Sequence, residues 1–429
     1  MYDLKPEAIY VTASALDDAR SAARTERMLS ALGRSISDAA VVSPDDIPLI
    51  VRDRGWERAR VRQGQHAEHT EPDLIFTRWH PEGAPDPGPV LERCPEGTSG
   101  SLIPRILGHG GPQGHNERMD SARICRSRWQ FDTIFGCPHG CAYCSGGKVA
   151  VILANMEEYI ERAVVPTVEA NPWQKVFMFN STLTDILAFE PEYGLTELLA
   201  EYFRETPDQW HLIHTKSANV QFLLDEPLER TICLWSMTSA TVSRQIEPGS
   251  ATTEERIEAA RACREAGHPV RVKFKPIVPV RGWEDEAREM IHGVMTQAQP
   301  ETIGLCFVAW MSGEELERII DPETLDPRFL NGMREAADEM RGFRPGPFPH
   351  ELRAEVYDFY LNEIRRYDAD VPVFPCTESR AIWREFGPRL GFGPRDYPCG
   401  CGPQCPTGTL RVDTPLVPEG CDNLFAAGV

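Results

Sequence analysis

From about Trp129 onward the chain alternates short apolar runs with longer helix-patterned stretches. The runs are Phe131–Phe135, Val176–Asn180, His211–Thr215, Ile232–Ser236, Val270–Lys275 and Ile303–Val308. Strands separated by helix-length segments can pair in parallel only through crossovers, so this order predicts repeated βα units on one parallel sheet. Six units predict a partial (β/α)6 barrel, an α/β fold related to the TIM barrel. One crossover helix can be read closely. Thr252 and Glu255 fit a capping box, Ile257, Ala260 and Cys263 recur at helical spacing, and Gly267 supplies a stop, so a helix is predicted over Thr253 to Ala266.

The flanks read differently. An apolar run at Ile9–Val11, a helical pattern from Leu16 to Leu32 and a second run at Ile47–Val51 predict a small N-terminal α/β region. Between Pro81 and Asn116 the chain is rich in Pro and Gly, which predicts an irregular connection. The expected organisation is therefore 1–120 as the N-terminal region, 121–375 as the barrel and 376–429 as a Cys-rich C-terminal extension.

Charge narrows the class of partner. The 429 residues carry 65 Asp plus Glu against 45 Lys plus Arg, a formal net charge of −20. Binding to nucleic-acid backbones draws on cations, so this balance disfavours duplex DNA or RNA. The first residues lack a basic and apolar leader pattern, and no window reaches the roughly 18 apolar residues of a membrane span. A soluble cytoplasmic protein without a membrane partner is expected.

In that compartment thiols stay reduced, so the 13 cysteines do not predict a disulfide framework. Cys94, Cys125, Cys233, Cys263 and Cys306 are scattered and read as packing. Two groups are not scattered. The first, Gly136-Cys137-Pro138-His139-Gly140-Cys141-Ala142-Tyr143-Cys144, spaces three thiols as Cys-x3-Cys-x2-Cys on a loop after a strand. Three thiolates can bind three irons of a 4Fe–4S cubane and leave the fourth iron open, as bidentate capture of S-adenosylmethionine requires. Reductive cleavage of that ligand gives a 5′-deoxyadenosyl radical, with Cys137, Cys141 and Cys144 as the catalytic metal ligands. Tyr143, between the last two, can lie against the adenine. The alternative is a zinc knuckle with His139 as fourth ligand, but the spacing does not match paired zinc ligands.

These residues resemble the radical S-adenosylmethionine superfamily, and more narrowly the spore photoproduct lyase branch. The likeness runs through Leu183-Thr184-Asp185-Ile186, His214-Thr215-Lys216, Trp235-Ser236-Met237, Ile246-Glu247-Pro248-Gly249, Lys275-Pro276-Ile277 and Cys376-Thr377-Glu378-Ser379. The resemblance implies that Lys216 pairs with the carboxylate of S-adenosylmethionine and that Ser236 and Thr184 hydrogen-bond the cofactor. It also implies an electron donor such as flavodoxin or ferredoxin. The lyase's hydrogen-donating cysteine falls here at Thr182, and an alcohol is a poor hydrogen-atom donor to a carbon radical.

The run Val270-Arg271-Val272-Lys273-Phe274-Lys275 alternates apolar and basic residues. Arg271, Lys273 and Lys275 then share one face, either lining the barrel lumen to bind an anionic substrate or facing solvent on an edge strand. The second cysteine group is Cys399, Cys401 and Cys405 in a Gly/Pro-rich stretch, with Cys421 beyond. It is read as a second 4Fe–4S cluster on three or four of these residues, with a structural zinc site on all four as the alternative. In this respect the chain is similar to the sulfur-for-oxygen enzyme that makes the thiofuranose nucleoside of albomycin. The expected function is hydrogen abstraction from a small nucleoside or nucleotide, followed by carbon–sulfur bond formation at the auxiliary cluster, in natural-product biosynthesis. A nucleic-acid repair lyase and a non-enzymatic zinc or iron–sulfur scaffold are the alternatives.

Overall fold

The computed structural model describes residues 1–67, 71–115, 118–119, 123–180 and 184–412, with the side chains of 115, 118 and 119 outside the description. Its strands, in chain order, are β1 (Ile9–Thr12), β2 (Ala40–Val42), β3 (Asp73–Thr77), β4 (Pro112–His115), β5 (Arg118–Met119), β6 (Ile124–Cys125), β7 (Arg128–Phe131) and β8 (Ile134–Phe135). There follow β9 (Val149–Leu153), β10 (Val176–Phe179), β11 (Trp210–Thr215), β12 (Thr231–Met237), β13 (Val270–Ile277), β14 (Ile303–Phe307) and β15 (Val373–Pro375).

The larger sheet has eight strands in the order β15-β14-β13-β12-β11-β10-β7-β4. All neighbours are parallel except β4, which runs antiparallel to β7. The βα reading therefore holds, and the barrel is an open one with a parallel strand more than expected. That strand, β15, has three residues, too few for a periodic signal. The Pro/Gly-rich stretch is more regular than its composition suggests. It contains helices Gly88–Leu91 and Leu102–Ile106, and β4 pairs along an exposed edge strand, where Pro112 is tolerated at the first position.

The run Phe131–Phe135 is two strands, not one. After β7 the chain leaves the large sheet, and β8 joins a second sheet of order β2-β1-β3-β9-β8. The N-terminal strands are thus completed by segments from beyond residue 130. The crossover from β12 to β13 is the helix Thr253–Glu265, and its capping box forms as read: Glu255 N–H donates to Thr252 Oγ1 at 3.2 Å, and Thr252 N–H to Glu255 Oε2 at 2.7 Å. The pattern from Leu16 to Leu32 is broken at Asp18, whose carboxylate accepts from Ser21 N–H and starts a new helix, Ala19–Ala31. Among the described residues no helix is long and apolar enough to cross a membrane.

Along β13 the apolar set Val270, Val272 and Phe274 is buried, with the Phe274 ring 5.4 Å from that of Tyr360 on the helix His350–Arg365. Helices cover that face, so Arg271, Lys273 and Lys275 point the other way, into the lumen.

Candidate functional site

The first cysteine loop is strung between β8 and β9. Gly136 opens it at φ 144°, and a Cβ there would lie 2.1 Å from the Val149 carbonyl oxygen, so only glycine fits so close to the neighbouring strand. Cys137 N–H closes the loop onto Gly146 O at 2.7 Å, and Cys144 N–H donates to Cys141 O at 2.8 Å. The loop is tied across to the segment after β12 by Ala142 N–H to Ile246 O and Gly249 N–H to His139 O. On the other side Arg62 Nη1 donates to Tyr143 O at 2.5 Å.

Two buried carboxylates organise what lies under the loop. His139 Nε2 is 2.9 Å from Asp185 Oδ2 and its Nδ1 is 3.0 Å from Gly249 O; both neighbours are acceptors, so both ring nitrogens donate. Asp185 also accepts from Lys216 N–H and Thr215 Oγ1. Burial pulls the Asp185 carboxyl up, but these hydrogen bonds and the His139 charge overrule it and hold it below its ordinary value. Glu247, wholly buried, accepts from Lys216 Nζ at 2.8 Å, Arg256 Nη2 at 2.6 Å, Thr238 Oγ1 at 3.0 Å and the Tyr143 hydroxyl. Burial opposes its ionisation as well, yet the Lys216 and Arg256 charges bring its pKa down to about 2.

The three thiols open on a cleft of about 170 Å³ whose wall includes Thr184, Lys216, Ser236 and Lys275. Burial, with the charge of Asp185, raises the Cys137 thiol well above its usual value, and burial with Glu247 does the same to Cys141. Thr184 Oγ1 is buried at the cleft wall with no hydrogen-bond partner among the described residues. Ser236 Oγ lies 2.9 Å from His214 Nε2, and burial together with the Lys273 and Lys275 charges keeps that imidazole neutral. Lys216 donates to Lys275 O as well as to Glu247, with its amine at the cleft wall 5.8 Å from the Tyr143 ring centroid. Among the described residues no three His, Cys, Asp or Glu side chains converge on a single metal ion. A cubane makes no such demand, because each thiolate binds a different iron.

The residues thus fit a cluster with an open iron, and the fold around them has known counterparts. Residues 130–309 match the family model of spore photoproduct lyase. A solved spore photoproduct lyase variant with bound AdoMet and dinucleoside spore photoproduct superposes with a TM-score of 0.57 at 17% identity, covering 87% of this chain and 99% of that one. A spore photoproduct lyase complexed with the dinucleoside photoproduct gives 0.57 at 16% identity over 87% and 99%. Over residues 130–309 the chain is similar to spore photoproduct lyase, a radical S-adenosylmethionine family, and the solved structures share its fold. No curated protein matches it in sequence. That family implies a 4Fe–4S cluster and S-adenosylmethionine as cofactors. A scaffold without catalysis is set aside.

Of the residues read from the sequence, Cys137, Cys141, Cys144, Tyr143, Thr184, Lys216, Ser236 and Lys275 meet at this cleft. Arg271 and Lys273 do not. They lie on the lumenal face, one of the two readings of this strand, but Arg271 donates to Gly400 O at 2.9 Å and Cys405 O at 2.7 Å and pairs with Glu301, while Lys273 Nζ lies 3.0 Å from Cys401 Sγ. Their donors serve the second cysteine loop, which closes the base of the sheet: Val176 N–H, at the start of β10, donates to Pro403 O at 3.0 Å. Cys399, Cys401 and Cys405 are all buried there, and Cys421 and Thr182 lie outside the described residues.

Sequence reasoning weighed His139 only as a zinc ligand and assigned no roles to Asp185, Glu247 and Arg256. The first three stand inside the motif blocks and could have been found as polar residues in otherwise apolar company; Arg256 reads as a surface residue of its helix. A second hollow, of about 590 Å³, lies beside the cleft. Trp310, Met333, Phe343 and Arg344 line it, and Lys275 Nζ sits 5.4 Å from the Trp310 ring centroid at the junction.

Proposed function

We propose that this enzyme abstracts hydrogen from a small anionic nucleoside or nucleotide bound over the lumen, and that the C-terminal cysteine group would hold a cluster whose sulfide could bond to the substrate radical, the iron it leaves taking up the one electron released. When bound at Cys137, Cys141 and Cys144, the cluster and S-adenosylmethionine supply the 5′-deoxyadenosyl radical. Lys216 orients the carboxylate of the cofactor, Thr184 and Ser236 offer it hydrogen bonds, and the Tyr143 ring flanks the adenine. Lys275 meets the anionic group of the substrate, and Trp310 stacks on its base.

The observation that carries this reading is the basic ladder of β13. Lys275 lines the cofactor cleft, and Lys273, two residues and about 7 Å of strand away, bonds to Cys401. Both cysteine groups therefore address one lumen. The reading is that of a tailoring enzyme in natural-product biosynthesis, like the thiofuranose-forming enzyme of albomycin.

The test is anaerobic reconstitution, then dithionite, S-adenosylmethionine and a panel of nucleosides and nucleotides. The expected result is 5′-deoxyadenosine formation stimulated by one of them, with isotopically heavy sulfide loaded into the protein appearing in the product. Turnover without sulfur transfer would sink the finer claim. A second reading, nucleic-acid repair, is favoured by the likeness to spore photoproduct lyase. It predicts DNA affinity with a steep salt dependence, against which the net charge of −20 speaks.

A further inference from the structure

Among the described residues, the cations around the second cysteine loop outnumber the carboxylates that pair with them. Arg126 is 1% exposed; its Nη2 donates to the carbonyls of Tyr397 and Arg395, while its Nε and Nη1 have no hydrogen-bond partner. Arg128 Nη1 lies 3.7 Å from Cys125 Sγ, and its Nε is also without a partner. Lys273, 2% exposed, has Cys401 Sγ as its hydrogen-bond partner. Of the four cations that reach the loop, Arg271 is paired with a carboxylate, Glu301. Buried cations are costly unless an anion meets them, and around this loop the groups placed to supply one are the cysteine sulfurs.

Strand register adds a thiol to the group. Phe374 on β15 pairs with Gly304, and Cys376 N–H continues the ladder to Leu305 O at 2.7 Å. The Phe374 ring reaches the second loop: its centroid is 5.4 Å from that of Tyr397, and a Cβ on Gly400 would touch it at 3.7 Å. Alternation along the strand turns Cys376 to the same side as Phe374. Cys376 is within electrostatic range of Cys401 and Lys273.

We infer that the base of the sheet is an iron–sulfur cluster site held by Cys376, Cys399, Cys401 and Cys405, with Lys273, Arg126 and Arg128 as its counter-ions. This rests on the second-cluster reading above and changes its fourth ligand, the place that the sequence pattern gives to Cys421. The four thiols come from two segments, the end of β15, which pairs with β14, and the loop, which is bonded to β13. A thiolate-ligated cluster carries negative charge that these cations would meet. A single zinc ion would need three or more donors converging on one point, and among the described residues none do.

The test uses the full chain with Cys137, Cys141 and Cys144 replaced by Ala, reconstituted anaerobically with iron and sulfide. The expected content is roughly four irons and four sulfides per chain. In that background Cys376→Ala speeds iron loss to a chelator by about tenfold or more, whereas Cys421→Ala and Cys306→Ala leave it unchanged; circular dichroism reports whether each variant is folded. Lys273→Met keeps every thiol and shifts the cluster's reduction potential to more negative values, because a counter-ion to the reduced state is gone. Accelerated loss in Cys421→Ala but not in Cys376→Ala overturns the ligand set, as does zinc without sulfide. An unchanged potential in Lys273→Met overturns the counter-ion role. If the background chain binds neither iron nor sulfide, the second-cluster reading itself falls.

Discussion

Glu247 and Arg256 form an ion pair 2.6 Å apart in which neither side chain is exposed. The pair lies directly beneath the first cysteine loop, because Glu247 also receives the Tyr143 hydroxyl from above and Lys216 from the cleft wall. One buried anion therefore sets the positions of a loop residue, a cleft cation and a crossover helix.

Removing that anion leaves Arg256 charged and uncompensated in the interior. Glu247→Gln is expected to cost about 3–5 kcal/mol. Denaturant unfolding of the apoprotein followed by circular dichroism measures it, and a cost under about 1 kcal/mol, the size expected of an exposed pair, would contradict the buried network.

The same carboxylate makes an acid limit. Its pKa is depressed from 4.5 to about 2 in the folded chain, so the stabilisation is complete above the unfolded value and is lost as pH falls from about 4.5 towards 2. Asp185 is depressed as well and adds to the loss in the same direction. Apoprotein stability should therefore fall across that acid window by about 3 kcal/mol from Glu247 alone, and Glu247→Gln should flatten the profile. A profile unchanged by the substitution would refute it.

Lys216→Met is expected to weaken binding of S-adenosylmethionine to the reconstituted enzyme by about 10- to 100-fold, the worth of one charge-assisted hydrogen bond. Equilibrium dialysis provides the readout. Tyr143→Phe, which removes only the hydroxyl and keeps the ring, should change it far less; equal losses would assign Lys216 to loop support alone.

Cys141→Ala should abolish 5′-deoxyadenosine formation and lower iron content by roughly four per chain. Retention of either would dismantle the first site.

Trp310→Ala should raise KM for the substrate about tenfold, since base stacking on an aromatic ring is worth about 1–3 kcal/mol, while S-adenosylmethionine affinity stays as it was. The indole is 39% exposed and its backbone has φ 69°, an uncommon conformation for a bulky residue. A KM equal to that of the unsubstituted enzyme would exclude Trp310 from substrate recognition.

Much of this was legible before the structure. The βα alternation predicted the parallel sheet because strand and helix periods differ locally, and Thr252 with Glu255 announced a helix start that the backbone then adopted. Cys137, Cys141 and Cys144 were legible because three ligands on one loop need no tertiary information. What the sequence hid depends on distance in space. Lys273 and Cys401 are 128 positions apart, and alternation could give Lys273 a face but not the loop that meets it there. Cys376 hid for the same reason, since β15 is too short to show periodicity. Arg256 looked like one more charged residue on an exposed helix, although its helix face is turned inward onto Glu247.

The way the first cysteine loop hangs between β8 and β9 has a bearing on any attempt to shorten this enzyme. Those two strands complete a sheet whose other members come from the first 77 residues, so a trimmed chain carrying only the large sheet would keep all three thiols and lose the frame that spaces them. Cluster assembly would then have to wait on a partner strand that never arrives, and the N-terminal region becomes part of the catalyst's scaffolding instead of a removable appendage.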